Sequence, residues 1–206
     1  AMIGGSKIKD KKFLLKNILK KIDYLIIGGG MIFTFIKNLY NFNIGNSIFQ
    51  DGCNDTIKDI IKLADIYNVK LILPNDFVLS NKFSEDGETM ICKWDKIPDG
   101  WMGLDIGPES IKKITKVLNI ADIVIWNGPF GVYEMEKFSK GTNQLLKNIS
   151  NLTMENKITS IIGGGDTGTC AERLNLEDKL THISTGGGAC IELLEGKDLP
   201  GLKFLK

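Results

Sequence analysis

Four short apolar runs in this chain each end in a glycine-bearing loop, and no other feature narrows the possible folds as far. Residues 24–27 lead into Gly28-Gly29-Gly30, and residues 122–126 into Asn127-Gly128-Pro129. Residues 158–162 lead into Gly163-Gly164-Gly165-Asp166, and residues 181–184 into Thr185-Gly186-Gly187-Gly188. Apolar runs of this length, without polar alternation, read as strands buried on both faces. Helical patterns separate them. Phe13, Leu14, Ile18, Leu19 and Ile22 recur at helical spacing, with Asp10 expected as the N-cap. Residues 31–39, 56–66 and 138–149 also read as helices, and a last one ends near Leu194. Residues 69–73 form a further strand that Pro74 stops, and Pro108 opens a helix at its first turn. Residues 80–107 are the least regular stretch, with Gly87, Pro98, Gly100, Gly103 and Gly107, and are expected to hold a short hairpin. Strands alternating with helices predict an α/β fold: a three-layer, Rossmann-like parallel sheet with helices on both faces, in a single domain.

The chain has 206 residues, 43% of them hydrophobic and 25% charged, enough for one domain with a sizeable core. Its 26 basic and 25 acidic residues leave a formal charge of +1, which predicts neither a nucleic-acid nor a membrane partner. No apolar run approaches the roughly 20 residues of a membrane-spanning helix. Cys53, Cys92, Cys170 and Cys190 are widely spaced and form no CxxC pair, so they read as free thiols of a reducing, cytoplasmic compartment. Arg173 is the single arginine. A substrate site built on an arginine cluster therefore cannot lie in this chain.

In an open parallel sheet, ligands bind outside the carboxyl ends of the strands. Glycine there lets a polyphosphate approach the backbone, and the next helix offers free N–H groups and the positive end of its dipole. Each loop alone reads equally well as a tight strand-to-helix turn; several on one edge point to a phosphate-rich ligand. Gly163, Gly165 and Gly168 fit G-x-G-x-x-G. The dinucleotide fingerprint belongs on the first strand of its unit, with an acidic residue about 20 residues later. Here the later stretch reads Thr185-Gly186-Gly187-Gly188, and a nicotinamide site is rejected. No G-x-x-x-x-G-K-[ST] occurs, which excludes a P-loop enzyme.

Asp166, between a glycine loop and a helix start, is the metal candidate, because Mg²⁺ takes one or two carboxylates plus phosphate oxygens. The alternative is an N-cap aspartate. Thr167 and Thr185 are candidate caps that also touch phosphate. Lys7 and Lys11 are four apart and would share a face on one helical turn. Two ammonium groups could stabilise a transferring phosphoryl group, although spacing alone favours a solvated basic face. Glu134 is a candidate ribose acceptor. His182, inside a strand, reads as structural, and Arg173 as a surface residue of the helix after Asp166.

Six segments together resemble the C-terminal, nucleotide-binding half of the phosphoglycerate kinase family: residues 4–11, 26–31, 100–108, 126–134, 161–167 and 184–189. They include Gly4-Gly5-Ser6-Lys7, Trp126-Asn127-Gly128-Pro129, Gly163-Gly164-Gly165-Asp166-Thr167 and Thr185-Gly186-Gly187-Gly188. They follow the family's order and cover nearly the whole chain. The resemblance implies reversible phosphoryl transfer from 1,3-bisphosphoglycerate to ADP, a glycolytic reaction, with Mg²⁺. It implies that Lys7 steadies the group in flight and that Gly186, Gly187 and Gly188 present backbone amides to it. Lys11 would hold nucleotide phosphate, and Asp166 the metal–nucleotide, with Thr167 beside it. Gly28, Gly29, Gly103 and Leu104 would line the adenine pocket. Asn127, Pro129 and Glu134 would meet ribose and phosphates, and Gly5, Ser6, Gly131, Gly163, Gly164, Gly165 and Thr185 would complete the nucleotide site. Ser6 and Gly168 stand where alanine is usual in the family, and neither change removes a functional side chain.

The resemblance also leads us to expect a monomeric fragment. Ala1 falls inside a family segment, and the preceding domain, which carries the basic substrate site, is absent. Such a half would bind ADP or ATP and be inactive alone. A stand-alone nucleotide-binding module is the competing reading, and an oxidoreductase domain is disfavoured by the position of the glycine motif.

Overall fold

The computed structural model describes residues 1–184, 192–197 and 199. They form a six-stranded parallel sheet and a three-stranded antiparallel sheet. In chain order the strands are β1 (Met2–Ile3), β2 (Tyr24–Ile27), β3 (Lys70–Ile72), β4 (Asp76–Ser80), β5 (Thr89–Lys93), β6 (Met102–Ile106), β7 (Ile123–Asn127), β8 (Thr159–Gly163) and β9 (His182–Ser184). The helices are α1 (Ile8–Ile18), α2 (Met31–Tyr40), α3 (Asn54–Ile66), α4 (Pro108–Leu118), α5 (Lys140–Met154) and α6 (Gly165–Arg173). The parallel sheet runs β3-β2-β1-β7-β8-β9.

Strand alternation divides the sheet's side chains between two cores. Ile3, Leu25 and Ile27 point to one face and pack with Leu14 and Leu15 of α1, Phe35 of α2 and Ile60 of α3. Met2, Ile26, Trp126 and Ile162 point to the other, against Ile114 of α4, Leu145 and Ile149 of α5, and Cys170 of α6. Each buried Leu or Ile contributes about 1.5–3 kcal/mol against exposure. The alternation of strand and helix therefore yields the expected three layers. Register then aligns the loops: Ile3 pairs with Asn127, Asn127 with Gly163, and Gly163 with Ser184. The loops after β1, β7, β8 and β9 thus leave the sheet from one row.

A left-handed asparagine ends four helices. Asn41, Asn68, Asn156 and Asn175 follow α2, α3, α5 and α6, each with φ between 53° and 55°. These are the only left-handed non-glycine residues among those described, and asparagine tolerates that conformation best after glycine.

Two expectations change. Asp10 does not cap α1: the helix begins at Ile8, the capping position falls to Lys7, and Asp10 lies in the first turn. There its charge still complements the helix dipole. The irregular stretch holds more than a hairpin. β5 and β6 flank β4 on either side, and β4 lies upstream of the predicted hairpin region. β5 escapes a hydrophobicity reading because it is an edge strand, with Met90 and Ile91 both exposed.

The helix α4 has proline at its start and no capping side chain of its own. Asp76, on β4, takes that role from a distance. Its Oδ1 accepts from the Ser110 N–H (2.6 Å) and hydroxyl (2.5 Å), and its Oδ2 from the Glu109 N–H (3.0 Å). This buried carboxylate ties the small sheet to the large one through the free N–H groups of a helix end.

Candidate functional site

A cavity of about 510 Å³ opens beside the carboxyl ends of the parallel strands, between the two sheets. Its rim is main chain. Gly5 and Ser6 follow β1, Gly29 and Gly30 follow β2, and residues 129–134 follow β7. These loops interlock through their backbones. The Gly5 N–H donates to the Pro129 carbonyl (3.3 Å), and the Met31 N–H to the Gly5 carbonyl (3.0 Å). A Cβ on Gly4 would lie 2.3 Å from the carbonyl oxygens of Gly128 and Pro129, so glycine is the one residue that permits the approach. The Trp126 indole, buried in the lower core, donates to the Gly128 carbonyl at 2.7 Å.

The inner wall is apolar. Phe33 of α2, Phe77 of β4, and Met102 and Leu104 of β6 line it. Gly103 lies against the Phe33 ring, where an added Cβ would come within 2.0 Å of a ring carbon. The Val132 N–H donates to the Leu104 carbonyl (2.9 Å), which ties the residue 128–134 loop to β6. Asp105 is buried at the base, with Oδ2 accepting from the Gly141 N–H in the first turn of α5 (2.7 Å) and Oδ1 from the Ile106 N–H (2.9 Å). Burial pushes its carboxyl up to about 7, against the opposing pull of those two donors.

Of the residues expected from the sequence, Gly5, Ser6, Gly29, Gly103, Leu104, Pro129, Gly131, Glu134 and Asp166 converge on this one cavity. Asp166 is exposed in the first turn of α6. The Tyr133 hydroxyl donates to its Oδ1 (3.1 Å). Burial, and then the negative charge of Asp166, raise the Tyr133 phenol, which keeps it a donor. Lys11 and Asn127 sit deeper: the Lys11 ammonium donates to Asn127 Oδ1. Burial lowers the Lys11 pKa, opposed by the nearby charges of Asp10, Asp166 and Glu195. Among the described residues, the Asn127 amide nitrogen is the one buried side-chain polar atom without a partner. A Cβ on Gly164 would lie 3.1 Å from it, so this free donor faces the glycine loop after β8.

Other expected residues are placed differently. Gly28 does not line the cavity; it makes room for the Phe130 ring, 2.4 Å from where its Cβ would be. Thr167 is neither a cap nor open to a phosphate. It is the third residue of α6, fully buried, and its hydroxyl accepts from the Gly128 N–H at 2.8 Å. Lys7 is exposed at the start of α1 with extended backbone, so it does not share a helical turn with Lys11. Gly163 ends β8 beside Asn127, and Gly164 and Gly165 carry the chain into α6, all outside the cavity lining. Arg173, expected on the open surface, remains exposed but reaches back to Tyr133. His182 lies in β9 as expected, with an exposed side chain. Thr185, Gly186, Gly187 and Gly188 lie outside the described residues.

Sequence reasoning missed Phe33, Phe77, Phe83, Met102 and Tyr133. Four are apolar and indistinguishable by pattern from core residues. Tyr133 lay within the Asn127-to-Glu134 segment and was legible only as part of it.

Among the described residues, no group of three or more His, Cys, Asp or Glu side chains could hold a metal, and no helix is long and apolar enough to cross a membrane. The donor set suits a cation held largely by its ligand's phosphates, with one protein carboxylate, and does not suit a protein-built cage.

The family model for phosphoglycerate kinase matches residues 1–197. The chain is 50% identical to phosphoglycerate kinase of Gallus gallus and 48% identical to phosphoglycerate kinase 1 of Homo sapiens, over all of its own length and 49% of theirs. It thus spans about half the length of the curated relatives it matches. The solved phosphoglycerate kinase of Coxiella burnetii superposes with a TM-score of 0.92 at 37% identity, covering 100% of this chain and 52% of that one. That of Pyrococcus horikoshii does so with a TM-score of 0.77 at 27% identity, covering 99% and 50%. With the family model matched over residues 1–197, the chain belongs to the phosphoglycerate kinase family.

Proposed function

We propose that the cavity holds ADP or ATP with Mg²⁺, and that this chain is the nucleotide-binding half of a phosphoglycerate kinase whose other domain supplies the acyl phosphate. One observation carries the reading. A single cleft joins an apolar slot, floored by Phe33, Phe77 and Leu104, to a glycine rim that ends at Asp166. A purine ring suits the first part and a polyphosphate the second. Gly29, Gly103 and Leu104 take the base, Glu134 and Pro129 the ribose side, and the main chain at Gly5, Ser6 and Gly131 the approach to the phosphates. Lys11 and the free Asn127 amide donor stand behind that rim and supply positive charge and an N–H to the phosphates.

In the reaction, the bond from phosphorus to the acyl oxygen of 1,3-bisphosphoglycerate breaks and one from phosphorus to the terminal oxygen of ADP forms. 3-Phosphoglycerate leaves as a carboxylate. Such a transfer has little covalent work for the protein and depends on positioning and charge stabilisation. Lys7, exposed at the rim's outer edge, steadies the transferring group; Gly186, Gly187 and Gly188 offer it amides, Gly163, Gly164 and Gly165 shape the adjacent loop, and Thr185 adds a phosphate contact. Bound Mg²⁺ supplies charge neutralisation on the phosphates, and Asp166 is the residue that holds it. The arginine-poor composition leaves the phosphoglycerate to the other domain. The same reading makes the protein a cytoplasmic monomer.

Calorimetric titration tests the binding half of this proposal: ADP binds in the micromolar to millimolar range and NAD does not. Turnover of 1,3-bisphosphoglycerate with ADP is absent for these 206 residues alone and returns when the other domain is joined to them. ADP binding without restored turnover would leave a nucleotide-binding module and remove the enzyme.

A further inference from the structure

We propose that Tyr133, anchored by Arg173, is a positioning residue that holds the Asp166 carboxylate ready for the cation of a metal–nucleotide. Three contacts assemble the device. The Tyr133 hydroxyl donates to Asp166 Oδ1 (3.1 Å), the Arg173 Nη1 donates to the Tyr133 carbonyl (3.2 Å), and the Arg173 guanidinium lies 5.4 Å from the centre of the Tyr133 ring. Asp166 and Arg173 are the second and last residues of α6. Two helical turns separate them, so they share a face, and Tyr133 lies along it. The phenol thereby bridges the loop after β7 to the start of α6 across the mouth of the cavity.

The choice of groups fits the task. An exposed aspartate in the first turn of a helix rotates freely unless something holds it. A neutral phenol can fix one carboxylate oxygen with a single donated hydrogen bond and leave the other free. A lysine or arginine on the same oxygen would neutralise the charge the cation needs. Arg173, the chain's single arginine, is spent on the Tyr133 ring and carbonyl, and no ion pair among the described residues joins it to Asp166. Groups that orient a metal-binding carboxylate without replacing the metal tune affinity at one remove.

The inference rests on Asp166 as the cation ligand, and the test separates the two. In the intact protein, ADP affinity is measured by calorimetry with and without Mg²⁺, and Mn²⁺ binding to the ADP complex by water-proton relaxation. Tyr133→Phe keeps the ring and removes the hydroxyl. Its ratio of ADP affinities with and without Mg²⁺ falls about tenfold, and Mn²⁺ binding weakens by the same factor, the low end for outer groups of metal sites. Arg173→Ala shifts the ratio in the same direction by less, about twofold, because the phenol keeps its bond but loses its anchor. Tyr133→Phe added to Asp166→Asn changes nothing further. If Asp166→Asn lowers the ratio and Tyr133→Phe leaves it alone or raises it, the positioning role is wrong and the metal reading stands. If Asp166→Asn itself leaves the ratio unchanged, the metal reading fails first. An equal loss of ADP affinity with and without Mg²⁺ in Tyr133→Phe would make the phenol a pocket wall only, and would overturn the proposal.

Discussion

The parallel sheet meets the cavity with its backbone, and the small antiparallel sheet meets it with side chains. Around Gly4, Gly29 and Gly128 the main chains touch directly, and the loop positions follow from backbone hydrogen bonds in the row that Ile3, Asn127 and Gly163 define. On the other side, Phe77, Met102 and Leu104 form a wall whose shape depends on one neighbour, Phe33, fitting over Gly103. Carboxylates then join the two regions. Asp76 and Asp105, both on the small sheet, hold the first turns of α4 and α5. A phosphate chain is recognised by groups every residue carries, and a base by groups only particular residues carry. The first kind of site tolerates almost no backbone change; the second tolerates more.

The comparison breaks most sharply at Gly4. Gly4→Ala sets a methyl group 2.3 Å from two carbonyl oxygens that cannot turn aside. It lowers stability by about 4 kcal/mol or more, read from urea unfolding, and closes the rim. If the variant melts like the parent, the main-chain region is not rigid and the contrast collapses. Asp76→Ala comes next. Losing three hydrogen bonds at the buried end of α4 costs about 3 kcal/mol, and Glu109 and Ser110 at the start of α4 lose hydrogen-exchange protection first.

Asp105 tests the junction through pH. Its carboxyl titrates near 7 when folded and near 3.8 when unfolded. Between those values the folded state carries the extra proton, so this stabilisation is complete below about pH 4 and lost as pH rises through 7. Between pH 5 and 8 the parent therefore loses roughly 2–3 kcal/mol that Asp105→Asn does not. Parallel pH curves for the two proteins would refute the linkage. Smallest is Gly103→Ala. The obstructing atoms belong to a side chain, so stability falls by only about 1–2 kcal/mol, while a displaced Phe33 narrows the slot and weakens ADP binding about tenfold. A loss of stability equal to that of Gly4→Ala would erase the distinction between the two regions.

The extent to which this site could be read in advance follows the same division. Glycine loops and the strands before them are visible locally, because a left-handed turn or a close backbone approach demands one residue type. Gly29, Gly131 and Asp166 were found that way, with the family resemblance adding Gly5, Ser6, Gly103 and Leu104. Thr167 was misplaced for the opposite reason. A threonine beside a glycine loop can turn its hydroxyl to a ligand or to the protein, and here the Gly128 N–H claims it. Asp10 was misjudged as a cap because the helix extends back to Ile8, which is buried and held by the core. β5 went unseen because an exposed edge carries no apolar periodicity.

Alone, the amino-acid order determined the alternation of strand and helix and the row of glycine turns. Each depends on neighbours a few positions apart. Only the folded chain decided that Phe33 and Phe77, both core residues, also wall a cavity, that Lys11 turns inward to Asn127 while Lys7 stays out, and that Tyr133 spans from Arg173 to Asp166. Those outcomes depend on contacts between residues 30 to 120 positions apart, and long-range packing is set by which surfaces meet.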